Sequence, residues 1–431
     1  MSGKTYKPKA ISGFPEWLPE TRLVEQQWLD HIRKVFESYG FCSIETPSVE
    51  EHAVIAAKGE VDKEIYVLER LHKEEGDKEA RLALHFDQTV PLARYVAQHF
   101  NDLIFPFKRY QMQRVWRGER PQLGRAREFY QCDIDVIAQD TLPLHFDAEM
   151  PAVIYEALDG LNIGKFQIRI SNRKIVLGLL ESLGIKDPAP VTRIVDKLDK
   201  LKRQEVEKLL QDETGLSKEQ TDSILALATA EDISAIKPAN EVMAEGLSEL
   251  SFVMDQLKHL PEHAVKADLS IVRGLDYYTG TVYETRLLDI PEFTSSICSG
   301  GRYDDLASSY INKNLPGVGI SIGFTRLFEV LNHYDYIKTG SKSPADILMV
   351  LPSDERREIA AQTAQTLRKN GFNVEMFHSG SKLKRQMAYA EKKGIPYVWF
   401  PPFEDGSPHE VKCMESGEQS KADPENWSPV K

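Results

Sequence analysis

Between residues 105 and 137 the chain alternates residue types with a period of two, twice over, around a loop crowded with arginine. From Arg109 to Glu119 the even positions include Tyr110, Met112 and Trp116, while the odd positions carry Gln111, Gln113, Arg117 and Glu119. The returning segment, Phe129 to Ile137, sets Cys132, Ile134 and Val136 against Gln131, Asp133 and Asp135. Successive side chains of a strand point to opposite faces, so each segment reads as a strand with one packed and one polar face. Together they predict a long hairpin whose polar faces are too rich for a sheet that only meets water. Arg117, Arg120, Arg125 and Arg127 lie at or inside its loop. Planar guanidinium forks suit phosphate oxygens, although a solvated, salt-bridged loop would use the same residues.

The flanking segments set the rest of the architecture. Val24, Trp28, Ile32, Val35 and Tyr39 recur at three- and four-residue spacing, which predicts a helix over about Thr21 to Tyr39, with Thr21 as its N-cap and Gly40 as its stop. Gly40 to Pro47 then reads as a turn and a short strand. From about Ile175 to Leu260 short apolar stripes alternate with Lys and Glu, and Ser217 to Gln220 resembles a capping box. A helical module is therefore expected between two β-rich stretches. After a linker, Lys338 to Pro344, strands at Ile347–Leu351, Phe372–Phe377 and Tyr397–Phe400 alternate with helices at about Asp354–Asn370 and Lys382–Lys393. The expected organisation is a β-rich domain in two parts, 1–180 and 263–337, a helical insertion at 181–262, and a compact α/β domain at 344–431.

Two further clusters carry polar chemistry. Arg273 to Glu284 (Arg-Gly-Leu-Asp-Tyr-Tyr-Thr-Gly-Thr-Val-Tyr-Glu) brings a cation, acceptors and phenols to the end of an apolar strand, Leu269 to Val272. A β-turn with aromatic core residues is the plainer reading of that run. In Gly317 to Gly323 small residues alternate with Val318, Ile320 and Ile322, leaving a face open either to a flat ligand or to close strand packing. Thr325 would cap the next helix and set Arg326 in its first turn, where backbone N–H groups favour anions.

Composition removes several other classes. Hydrophobic residues at 41% and charged residues at 28% exclude wholesale disorder. No run approaches the ~18 apolar residues that span a bilayer, and the first residues lack the apolar core of a secretory signal. The four cysteines are scattered, which argues against a zinc ribbon or disulfide framework and for a reducing, cytoplasmic setting. A net charge of −12 argues against a general DNA-coating protein but leaves room for local basic patches. The chain has no P-loop, no Gly-x-Ser-x-Gly elbow and no His-Glu-x-x-His helix.

Five ordered segments resemble one family. Phe41 to Pro47 resembles motif 1 of class II aminoacyl-tRNA synthetases, Arg117-Gly-Glu119 with its arginine-rich loop resembles motif 2, and Gly319 to Arg326 resembles motif 3. Arg273 to Glu284 and Cys298-Ser-Gly-Gly-Arg-Tyr303-Asp resemble the two segments peculiar to histidyl-tRNA synthetases. The likeness runs from about Thr21 to Glu418. It implies an α+β fold: a mostly antiparallel catalytic sheet flanked by helices, a helical insertion and a C-terminal anticodon-binding domain. It also implies a homodimer built through motif 1.

The same resemblance implies the chemistry. Histidine would be activated with ATP to histidyl-adenylate and then passed to the terminal adenosine of tRNA. Arg117 would hold the α-phosphate, Arg326 the γ-phosphate, and Glu119 would lie near the adenine amino group, with Mg2+ accompanying ATP. Arg273 would sit beside the reacting carboxylate and α-phosphate, so Arg273 and Arg117 are the expected catalytic pair. Asp135 would accept an imidazole N–H, Tyr277, Tyr278 and Tyr303 would line the ring, and Asp87, Thr89 and Gln131 would hold the α-amino group. The family often carries Glu at the positions of Asp87 and Asp135. Arg120, Gln122 and Arg125 of the motif 2 loop would read the acceptor end of tRNA, and the basic run Lys382, Lys384, Arg385, Lys392 and Lys393 suits tRNA phosphate. The alternative is a catalytically silent paralogue acting as a histidine or tRNA sensor or a regulatory subunit.

Overall fold

A computed structural model describes residues 6–56, 64–70, 81–272 and 278–429. The chain divides into two compact units, residues 1–15 with 30–336, and residues 16–29 with 337–431. In the first unit the predicted hairpin is β2 (Phe107–Trp116) and β3 (Glu128–Ile137) of an eight-stranded sheet. Its other strands are β1 (Cys42–Ser43), β4 (Phe166–Asn172), β5 (Val265–Ala267), β6 (Thr281–Leu287), β7 (Cys298–Tyr303) and β8 (Gly317–Ile322). The order is β1-β2-β3-β8-β7-β6-β4-β5. Only the outermost pairs, β1–β2 and β4–β5, are parallel, so the expected antiparallel sheet is present.

Register makes the polar faces one surface. Gln113, Gln111 and Arg109 of β2 stand opposite Gln131, Asp133 and Asp135 of β3. On the other side, Ser321 and Gly319 of β8 oppose Asp133 and Asp135. This surface is interior: Arg109, Gln111, Gln113, Asp133 and Asp135 are all buried. Buried polar groups need partners, and the segment after β1 supplies some. Gln111 Nε2 donates to Thr46 Oγ1 at 2.9 Å, and Gln113 Nε2 donates to the Thr46 carbonyl at 2.8 Å.

The helices depart from expectation mainly at their ends. α1 (Pro19–Ser38) starts two residues before Thr21, which therefore lies inside it; proline's fixed φ suits the first helical position. α2 (Thr89–Gln98) and α3 (His145–Asp159) follow. The helical module consists of α4 (Arg173–Ser182), which begins ahead of the expected boundary at 181, α5 (Pro188–Val195), α6 (Arg203–Thr214), α7 (Lys218–Ala228) and α8 (Glu241–Gln256). Its first four helices close over Leu180, Ile194, Val206, Leu210, Ile224 and Leu225. The predicted capping box is formed: Ser217 Oγ accepts from Gln220 N, and Gln220 Oε1 accepts from Ser217 N. α9 (Phe324–His333) is capped by Gly323, not by Thr325. The Thr325 hydroxyl instead accepts from Tyr130 N at 2.7 Å, tying the helix to β3. Leu269–Val272 is not a strand but a turn after β5, with Asp268 Oδ1 accepting from Ser270 N. Its apolar residues reflect burial, not pairing.

The second unit carries β9 (Ile347–Met349), β10 (Val374–Met376), β11 (Tyr397–Phe400), β12 (Glu410–Cys413) and β13 (Gln419–Lys421), ordered β10-β9-β11-β12-β13. The first three are parallel and are linked by α10 (Arg357–Lys369) and α11 (Leu383–Lys393), the expected alternation. The antiparallel pair β12–β13 extends it.

Candidate active site

The floor of the site is the buried polar surface of β3, β8 and their neighbours. Asp135 Oδ2 lies 2.6 Å from Arg109 Nη2, and the Tyr303 hydroxyl donates to Asp135 Oδ1 at 2.9 Å. Burial raises the Asp135 carboxyl, while Arg109 and Tyr303 pull it back down. Gln131 Nε2 donates to Ser321 Oγ at 2.7 Å. Gln88 Nε2 donates to the carbonyls of Gln113 and Gln131, both at 3.1 Å, pinning the start of α2 onto the hairpin. Asp87 Oδ1 accepts from Val90 N at 3.1 Å, and Thr89 is the first residue of α2. Burial, then the charges of Asp135, Asp133 and Asp87, raise the phenol of Tyr278. Part of the small-residue face of β8 is taken up by neighbouring side chains. A Cβ at Gly319 would collide with the Asp135 carboxylate, and one at Gly317 with the Tyr303 ring. The glycines make room for side chains of the floor.

Above the floor is a cavity of about 160 Å³, lined among others by Arg117, Glu119, Phe129, Gln131, Ser321 and Arg326. Backbone acceptors preset its cations. Arg117 Nε donates to the Phe86 carbonyl at 2.9 Å, and its guanidinium lies 5.2 Å from the Phe129 ring centroid. Arg326 Nε donates to the Gly124 carbonyl and Nη1 to the Ser296 carbonyl, each at 2.8 Å. Glu119 Oε2 lies 2.7 Å from Arg125 Nε. A second cavity of about 230 Å³ shares Arg125, Ser296, Ser299 and Arg326 with the first and adds Tyr278, Glu284 and, from the helical insertion, Lys200. Two walls rich in guanidinium over a carboxylate floor suit a ligand with an anionic end and a cationic end.

Arg117, Glu119, Gln131 and Arg326 thus meet around one cavity; Asp135, on the same strand face as Gln131, pairs with Tyr303, Tyr278 lines the second cavity, and Asp87 and Thr89 stand at the start of α2. Arg273 and Tyr277 lie outside the described residues. Arg120, Gln122 and Arg125 are exposed at the hairpin tip, where Gln122 and Arg125 pair through their backbones. In the second unit Lys382, Lys384, Arg385 and Lys392 are exposed, whereas Lys393 is engaged by Glu375 at 2.6 Å. Among the described residues no group of three or more His, Cys, Asp or Glu could hold a metal ion. Arg109, Gln88 and Asp133 adjoin these residues in the structure and are not singled out by the sequence motifs. The available signal was position: Arg109 and Asp133 occupy the polar face of the alternating hairpin.

An antiparallel sheet presenting an arginine-flanked hairpin loop, a glycine-bearing strand running into a helix with an arginine in its first turn, and a C-terminal α/β unit define a class II aminoacyl-tRNA synthetase fold. Comparison with known proteins narrows the class. A family model described as histidyl-tRNA synthetase matches residues 13–327, and one described as an anticodon binding domain matches residues 346–422. The chain belongs to the histidyl-tRNA synthetase family. It is 54% identical to the histidine–tRNA ligase of Thermobifida fusca, covering 98% of each chain. It is 48% identical to that of Micrococcus luteus, covering 97% of this chain and 96% of the relative. The crystal structure of histidyl-tRNA synthetase from Nostoc sp. PCC 7120 superposes with a TM-score of 0.88 at 38% identity, covering 97% of both chains.

Proposed function

We propose that the chain is a histidine–tRNA ligase that activates histidine with MgATP and then charges tRNA. The observation that carries this reading is the juxtaposition of Arg117 and Arg326 around one cavity that Gln131 also lines, with Asp135 buried on the same strand face and paired with buried Tyr303. The histidine carboxylate attacks the α-phosphorus of ATP, forming the acyl-phosphate bond and releasing pyrophosphate. A ribose hydroxyl of the tRNA terminal adenosine then attacks the histidyl carbonyl, and AMP leaves. Neither step needs a protein nucleophile; both need orientation and fixed positive charge where negative charge grows. Arg117, held by the Phe86 carbonyl, is suited to the α-phosphate, and Arg326, held by Gly124 and Ser296, to the γ-phosphate. Mg2+ belongs to the substrate, on the β- and γ-phosphates. Glu119 takes the adenine amino group, and Arg273 the reacting carboxylate and α-phosphate.

Asp135 accepts one imidazole N–H, Tyr277, Tyr278 and Tyr303 border the ring, and Asp87, Thr89 and Gln131 hold the α-ammonium. Residues 1–180 and 263–337 do the chemistry, 181–262 form the insertion, and 344–431 bind the anticodon. Arg120, Gln122 and Arg125 meet the acceptor end. The enzyme acts as a cytoplasmic homodimer, a setting in keeping with its four unpaired cysteines. No helix among the described residues is long and apolar enough to cross a membrane. Retention of Arg117, Glu119 and Arg326 around one cavity favours the enzyme over a silent sensor. Histidine-dependent exchange of pyrophosphate into ATP tests the reading, and its absence would refute it.

A further inference from the structure

Between Gln131 and Asp135 stands a third polar side chain on the same face of β3. Asp133 is 5% exposed, and its Oδ1 has no hydrogen-bond partner among the described residues. A buried carboxylate oxygen without a donor is costly to keep. The Oε1 of Gln131 is likewise buried without a donor, although the Nε2 of the same amide donates to Ser321. Ser321 also stands opposite Asp133 in register, and its hydroxyl lowers the Asp133 carboxyl. One hydroxyl therefore steadies both side chains and leaves an acceptor atom of each unused. Two bare acceptors on neighbouring same-face positions, one of them a carboxylate, suit a ligand group rich in donors and positive in charge.

We propose that Asp133 is a binding residue for the α-ammonium of histidine, receiving one N–H on Oδ1 while Gln131 Oε1 receives another. The proposal rests on the histidine reading of the site and adds a residue to it. An ammonium presents three donors diverging from one nitrogen and no acceptor. Two of them can meet the acceptors of Asp133 and Gln131 while the third turns to Asp87. An imidazole carries its two nitrogens on different edges of the ring and cannot serve both acceptors from one side, which leaves the ring to Asp135.

The charges agree. Facing Asp133 are Arg109 on β2, Asp135 on its own strand, Asp87 before α2 and Ser321 on β8. The phenol of Tyr278 and the thiols of Cys132 and Cys298 complete its titratable surroundings. Among these described groups the carboxylates outnumber the guanidinium, which favours a cationic group beside Asp133. Burial pushes the Asp133 carboxyl up to about 7. Burial thus favours the protonated carboxyl in the empty site, and an ammonium against Oδ1 favours the carboxylate.

Asp133→Asn keeps the shape and cancels the charge. In histidine-dependent pyrophosphate exchange it should raise KM for histidine about ten- to a hundredfold, with KM for ATP and the melting temperature nearly unchanged. Imidazolepropionate, which is histidine without its amino group, should inhibit wild type and variant equally. Calorimetric titration with histidine at pH 7, in buffers of different ionisation enthalpy, should show wild type releasing more protons than the variant. If Asp133→Asn melts early, Ser321→Ala, which loosens Asp133 without removing its charge, must show the same split between histidine and imidazolepropionate. Equal weakening of both ligands, an unchanged KM for histidine, or identical proton release would overturn the proposal. A wild type that exchanges no pyrophosphate with histidine would overturn the histidine reading, and this proposal with it.

Discussion

Replacing Asp135 by Asn separates two roles that meet in one carboxylate. Asp135 is 6% exposed and faces Arg109, which is 0% exposed, at 2.6 Å. Removing one partner of a buried ion pair typically costs about 3–5 kcal/mol, because the survivor is left uncompensated. The lower end applies here. Asn still offers an oxygen to the Tyr303 hydroxyl, and Arg109 also feels Asp133. For a unit of roughly 300 residues, melting entropy of about 2.1 cal/mol/K per residue converts 3 kcal/mol into a fall of about 5 °C. Histidine recognition should suffer separately. Losing a charged hydrogen bond to the imidazole costs about 1.5–3 kcal/mol, which is about ten- to a hundredfold in KM for histidine, with KM for ATP little changed. Arg109→Gln in the Asp135→Asn background removes the orphaned cation. The double variant should regain most of the melting temperature but none of the histidine affinity. The assays are thermal unfolding and pyrophosphate exchange with each substrate varied in turn. If the double variant recovered histidine affinity together with stability, Asp135 would be a counter-ion to Arg109 and nothing more.

Four other perturbations have definite outcomes. Arg273→Ala should slow adenylate formation about 10²–10³-fold in single-turnover kinetics, with histidine and ATP still binding and the melting temperature unchanged; damage to stability with both chemical steps affected alike would make Arg273 structural. Gly319→Ala drives a methyl group into the Asp135 carboxylate, so it should lower histidine-dependent exchange at least as far as Asp135→Asn. Charge reversal of the exposed pair Lys384 and Arg385 should weaken aminoacylation and reduce its salt dependence by roughly two counterions, leaving pyrophosphate exchange intact, whereas Lys393→Ala should instead cost stability through its lost pair with Glu375.

What could be read from the chain, and what could not, follows the range of the interactions involved. The hairpin 107–137 was legible because its apolar face alternates cleanly. That its polar face is interior was not, since burial of Arg109 depends on Asp135 standing opposite in register, and local pattern does not specify register. Leu269–Val272 looks like a strand because apolar runs do, yet it is a buried turn. The strands Glu410–Cys413 and Gln419–Lys421 leave little trace, being mostly half-buried or exposed without alternation. Thr21 and Thr325 have cap chemistry but are not caps, since Pro19 begins one helix and Gly323 caps the other. The site was legible mainly through motifs. Those motifs mark Gln131 and Asp135 and pass over Asp133 between them, whose significance depends on an oxygen left without a donor.

The central claim is that this cavity activates histidine. Exchange of labelled pyrophosphate into ATP, measured with each of the standard amino acids in turn, tests it most directly. Histidine alone should support exchange, and the rate should fall sharply in Arg117→Ala and Arg326→Ala. Exchange with another amino acid in preference to histidine, or none with any, would contradict the account.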